Sequence, residues 1–128
     1  AGHDVDASRM RPVYLDLPLR SCPTLKVLMP HLGQPWYDEA WMMIATWPNL
    51  YWDISSVCNK RPVEFLAGLM RSWGDEVFER VVQRWCFCSD ASDPVMMLEH
   101  HEALLDALGA DDALRESVYH GAAERLMA

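Results

Sequence analysis

No apolar run in this 128-residue chain approaches the ~20 residues that a membrane-spanning helix needs. Basic residues are scarce as well: eleven Lys and Arg stand against nineteen Asp and Glu, a formal charge of −8. Nucleic acid and anionic membrane carry the same sign, so both are disfavoured as partners. The four cysteines, Cys22, Cys58, Cys86 and Cys88, do not make the framework of a small secreted domain, and a reducing, cytoplasmic setting is expected. No low-complexity stretch or linker divides the chain, so residues 1–128 read as one piece of one domain. The opening Ala1-Gly-His-Asp-Val-Asp has no initiator Met, no basic n-region and no apolar h-region; it reads as neither a plain translation start nor a signal peptide, and the expectation is a segment from within a longer protein.

Large side chains are plentiful. Eight Met and six Trp suit a core that fills irregular space between strands and helices. Three segments read as buried strands that end in a polar residue and run into a helix: Leu25–His31, Leu50–Ser55 and Trp85–Asp90. Between them, helices are expected over 12–21, 36–47, 62–73 and 75–84, then over 94–108 with a stop at Gly109, and finally a terminal helix capped by Asp111 or Asp112. Val95, Leu98, His101, Leu104, Leu105 and Leu108 form the expected apolar stripe of the long helix. Strand followed by helix, repeated, is the signature of a parallel α/β fold, whose ligands sit at the carboxyl ends of the strands.

Read in order, Pro12-Val-Tyr-Leu-Asp16, Pro23 through His31-Leu-Gly33, Pro48-Asn-Leu-Tyr-Trp-Asp53-Ile-Ser55, Phe87-Cys-Ser-Asp90 and Gly121-Ala-Ala-Glu-Arg-Leu126 resemble the C-terminal part of the amidohydrolase superfamily. The branch it is most similar to is amidohydrolase family 2, which includes aminocarboxymuconate semialdehyde decarboxylase-like enzymes. The resemblance implies a (β/α)8 TIM barrel holding one or two divalent metals, of which this chain is the C-terminal portion, about three parallel βα units. A full barrel needs about 250 residues. Three parallel strands alone would leave both edges unpaired, so the N-terminal half of the barrel, from the same or a separate chain, is the expected partner. A homodimer is also implied.

The resemblance maps a metal ligand or metal-adjacent catalytic residue onto His31, at the end of the sixth strand, and a ligand and general base onto Asp90, at the end of the eighth. Zn²⁺, or another divalent cation such as Mn²⁺, is the implied cofactor. The sequence also departs from the family pattern. It has no His-x-His pair, the fifth-strand His would fall at or before the start of the chain near His3, Asp90 is followed by Ala-Ser-Asp93-Pro94, and Ala122-Ala123 stands where Asn-Ala is usual.

Each candidate has a plainer reading beside it. His31 suits a metal because neutral imidazole is a strong donor, yet it also fits the start of a Gly-containing turn. Asp90 is costly to bury unpaired after an apolar strand, though it is also placed to cap the following helix, a role Ser92 or Asp93 fills better. Ser55, with Asp53, is placed to line the mouth and orient water or substrate, or simply to turn the chain. Trp36 is either an aromatic wall for a substrate or helix-start packing. Cys86 and Cys88 sit about 7 Å apart on one strand with no second pair to complete a zinc site, and read as small hydrophobes. Of His100 and His101, one is expected to pack and the other to be solvated. Strand alternation groups His31 with Met29 and Val27, Asp90 with Cys88 and Cys86, and Ser55 with Asp53 and Tyr51.

These readings converge on a metal-dependent hydrolase or non-oxidative decarboxylase for a small carboxylated, cyclic or unsaturated substrate. The alternative is a degenerate, non-catalytic barrel fragment acting as a structural or interaction subunit.

Overall fold

The computed structural model describes residues 7–90 and 92–128. The expectation attached to His3 lies outside them. Two short strands, β1 (Val27–Met29) and β2 (Leu50–Trp52), pair in parallel with Val27 opposite Leu50 and Met29 opposite Trp52. The third expected strand contributes a single parallel bridge, Trp52 to Trp85, closed by Trp52 N–H to Arg84 O at 3.1 Å and Cys86 N–H to Trp52 O at 2.8 Å. Its onward path turns to another partner: Phe87 N–H donates to Val118 O at 2.8 Å. The strands are thus shorter than their apolar runs: after Met29 the chain turns at Pro30 and the left-handed His31, and after Cys86 the backbone of Phe87 pairs with Val118.

The helices follow the periodicity closely. After a 3₁₀ turn at Pro12–Leu15 come α1 (Asp16–Ser21), α2 (Tyr37–Thr46), α3 (Val63–Arg71), α4 (Asp75–Val82), α5 (Pro94–Ala107), α6 (Asp112–Glu116) and, beyond a π-helical turn at Ser117–Gly121, α7 (Ala122–Met127). Asp93 caps α5 by accepting from Val95 N–H, and Asp111 caps α6 by accepting from Leu114 N–H, both at 2.8 Å. Gly109 ends α5 at φ 69°, a left-handed conformation open to glycine at little cost.

The stripe on α5 differs from expectation. Val95 and Leu98 are exposed at 65% and 44%, while Met97 is fully buried with His101, Leu104, Leu105 and Leu108. The inward arc is set by what α5 meets, namely α3 and the Trp85 segment, and it lies one residue off the stripe at its amino end.

Two apolar layers flank the strands. On the helix side, Met29, Leu50, Trp52 and Trp85 join Trp41, Ile44, Leu66, Met70 and Leu104 in the main core. Trp85 stacks on Trp52 with centroids 5.3 Å apart, and Trp41 meets Trp52 edge-on at 5.5 Å. On the opposite side, Leu28, Tyr51, Cys86 and Cys88 pack with Ala122 and Leu126 of α7. Arg125 of α7 donates to Gln83 O at 2.6 Å, and Lys26 donates to Arg125 O at 2.6 Å, which ties α7 to the amino ends of the strands. The carboxyl ends are left for the polar groups.

This partition corrects the expected parity of β1. Leu28, not Met29 and Val27, shares the inner side with Tyr51 and Cys86. His31 reaches the rim by another route: His31, Leu32 and Gly33 all have positive φ (58°, 47° and 62°), so strand alternation ends before them. For the other two segments the pairing of Tyr51 with Asp53 and of Cys86 with Cys88 follows alternation.

A candidate active site at the strand ends

The left-handed turn after β1 is built to be tight. A Cβ on Gly33 would lie 2.6 Å from Ala40 Cβ and 2.7 Å from Pro12 Cγ, so α2 and the 3₁₀ turn close directly onto glycine backbone. Leu32 is fully buried beneath, and its N–H donates to Asp53 O at 2.8 Å. His31 is thereby held above β2, with its side chain half-exposed.

Asp53 follows β2 and is 2% exposed. One of its oxygens, Oδ1, accepts from Ser55 Oγ–H at 2.5 Å, Ser55 N–H at 2.8 Å and His31 N–H at 3.1 Å. Three donors on one carboxylate oxygen offset the cost of burying the charge. The His31 ring is held in turn: Nδ1 lies 2.7 Å from Ser55 O and 3.0 Å from Ser55 Oγ. Nε2 points the other way, 3.9 Å from Asp90 Oδ2. That separation is too long for a hydrogen bond. Asp90 itself sits at φ 52° and its carboxylate is about half exposed.

His31 and Asp90, predicted from separate strands, are therefore brought together. Asp93 takes the helix cap and leaves Asp90 free of that duty. Ser55 is 1% exposed, with its hydroxyl hydrogen on Asp53 and its oxygens on His31. Trp36 is half-buried where α2 begins. Asp53 was legible only as a neighbour of Ser55; its place at the centre of the cluster depends on a turn that alternation does not encode.

The surrounding thiols are held protonated. Burial, with the nearby Asp53 carboxylate second, pushes Cys88 up to about 12 and Cys86 to about 11. All four cysteines are free, and Cys86 and Cys88 pack as hydrophobes. Behind the Trp85 segment, His101 is fully buried between Trp85 and Phe87, with centroids at 5.5 and 4.7 Å, and Nδ1 2.8 Å from Met97 O. Burial holds its pKa down at about 4. His100 is half-buried rather than solvated, and its Nδ1 is shielded from water.

His31 Nε2 and Asp90 Oδ2 are a nitrogen and an oxygen donor of the types that bind Zn²⁺, and they supply two of the four positions a tetrahedral site requires. Among the described residues no group of three or more His, Cys, Asp or Glu is arranged to hold a metal. The pair fits as part of such a site, one that would need further ligands from outside the described residues.

Parallel strands feeding helices, with polar groups collected at the strand carboxyl ends, define a section of a TIM-type barrel. The amidohydrolase family profile matches residues 2–127, and the chain belongs to that family. Among solved structures, an uncharacterized TIM-barrel protein, Bb4693 of Bordetella bronchiseptica, is similar with a TM-score of 0.69 and 25% identity over 95% of this chain. This chain spans 41% of that protein's length. No curated protein matches the chain. No helix among the described residues is long and apolar enough to cross a membrane.

Proposed function

We propose that this chain carries the C-terminal part of a metal-dependent barrel enzyme of the aminocarboxymuconate semialdehyde decarboxylase-like type, catalysing hydrolysis or non-oxidative decarboxylation of a small carboxylated, cyclic or unsaturated substrate. The observation that carries the reading is the convergence of His31 Nε2 and Asp90 Oδ2 across 3.9 Å at the carboxyl ends of parallel strands. In this reading the N-terminal half of the barrel supplies the remaining ligands, and the enzyme works as a homodimer in the cytoplasm.

A bound Zn²⁺ or Mn²⁺ would lower the pKa of a water or polarise the substrate carboxylate. His31 presents a fixed Nε2 lone pair, as a ligand or as a partner for adjacent charge. Asp90, half-exposed and 3.9 Å from that nitrogen, takes or delivers the proton. Trp36 offers an apolar wall to an unsaturated substrate, and Ser55 acts through the ring of His31 that it holds.

Two measurements test this on the complete protein. Elemental analysis before and after chelation should find a bound divalent ion whose removal stops turnover; full activity without metal refutes the mechanism. Asp90→Asn should lower kcat by about 10² to 10⁴, the usual worth of a positioned acid or base, with the fold unchanged. Near-normal turnover removes Asp90 from the chemistry.

A further inference from the structure

We propose that Asp53 is a positioning residue that locks the imidazole of His31 in the Nδ1–H tautomer, so that Nε2 meets the reaction space as a lone pair. This rests on the reading above only in assigning work to Nε2.

The geometry leaves Nδ1 one state. It faces Ser55 O at 2.7 Å, which can only accept, and Ser55 Oγ at 3.0 Å. The hydroxyl hydrogen of Ser55 lies on Asp53 Oδ1 at 2.5 Å, so Oγ turns lone pairs toward the ring. A bare Nδ1 would oppose two oxygens, whereas Nδ1–H satisfies both. Turning the hydroxyl toward Nδ1 instead would leave the carbonyl repulsion in place and strip Asp53 of its shortest hydrogen bond.

Asp53 is what makes this arrangement hold. The same oxygen takes Ser55 N–H, which anchors the residue whose carbonyl, also held by Val57 N–H at 2.7 Å, faces the ring, and His31 N–H, which fixes the left-handed residue that carries the ring. One carboxylate therefore sets both the loop that accepts from Nδ1 and the backbone that presents it. At 2% exposure Asp53 meets no substrate, and its influence passes through His31. Histidines with a task at one ring nitrogen are commonly held this way at the other.

The test is the ring tautomer, which a merely structural carboxylate would not govern. Two-bond ¹H–¹⁵N correlation spectra of the ¹⁵N-histidine-labelled complete protein, at about pH 8 where imidazole is ordinarily neutral, are recorded as isolated and after chelation. His31 is assigned by its loss in His31→Gln. The expected result is the Nδ1–H pattern in both samples, and a second, Nε2–H pattern appearing in Asp53→Asn, whose neutral oxygen holds three donors more weakly. An Nε2–H ring in the chelated wild type, or a folded Asp53→Asn with an unmixed Nδ1–H pattern, overturns the proposal. Should Asp53→Asn not fold, Ser55→Ala decides: the carboxylate still holds Ser55 N–H, so Nδ1–H must persist, and its loss would show that the hydroxyl sets the ring. The tautomer is read without turnover or metal, so an inactive or metal-free protein would refute the proposed function while leaving this result standing.

Discussion

Acidification should weaken this fold through one buried imidazole. His101 is fully buried, stacked on Trp85 and met edge-on by Phe87, and burial lowers its pKa to about 4 from an ordinary value near 6.5. Its backbone partner, Met97 O, takes the Nδ1 hydrogen, and Nε2 is buried without a partner, so a second proton there would find no acceptor. The unfolded chain accepts that proton at higher pH than the folded one, so stability is full above about pH 6.5 and falls with pH through the window down to about 4. A shift of this size is worth about 3 kcal/mol in all, and about 2 kcal/mol is already lost at about pH 5. Urea unfolding from about pH 8 to 5 should show that loss in the wild type beyond the loss in His101→Phe, which keeps an apolar ring between Trp85 and Phe87 but cannot be protonated. Carboxylates titrate alike in both proteins and cancel in the comparison. Parallel curves for the two proteins would refute the assignment of a buried neutral His101.

Two further predictions concern the rim. Gly33→Ala should destabilise by about 1–3 kcal/mol, since its Cβ would meet Ala40 and Pro12 at a left-handed position, and it should displace His31 before it harms the core; thermal unfolding and the His31 ring signals check both. Among the cysteines, exposed Cys22 should react with a thiol reagent near neutral pH well before Cys86 and Cys88, whose thiols burial raises to about 11 and 12; mass spectrometry of the labelled peptides reads the order, and fast labelling of Cys88 would contradict it.

The helices were legible because their signals are local. Ser92 or Asp93 before Pro94, Asp111 or Asp112 ahead of the terminal helix, and Gly109 after the long one each mark an end with a single side chain or its absence, and the structure uses Asp93, Asp111 and Gly109. The stripe on α5 was misread at Val95 and Leu98 because apolar residues surround that turn, and only tertiary packing, such as the approach of Cys58 Sγ to Met97 Sδ at 3.7 Å, chooses Met97 among them. At the site, His31 and Asp90 stood out as polar residues ending apolar runs. The parity of β1 did not, because alternation is a rule about extended backbone and His31 lies two residues beyond it, on a turn with three successive positive φ values. Gly33-Gln34-Pro35 signalled a turn, but not its left-handed start at His31. Asp53 was read only as lining the mouth beside Ser55; its central place was not legible, because its three hydrogen bonds come from residues ordered by the turns on either side.

The central claim of the proposed function is that His31 and Asp90 grip one cation from two turns at the strand ends. Anomalous diffraction from crystals of the complete protein, recorded at the absorption edge of the metal found by elemental analysis, tests it directly. The account predicts one peak within bonding distance of both His31 Nε2 and Asp90 Oδ2. A metal bound elsewhere, with these two side chains left to solvent, would contradict it.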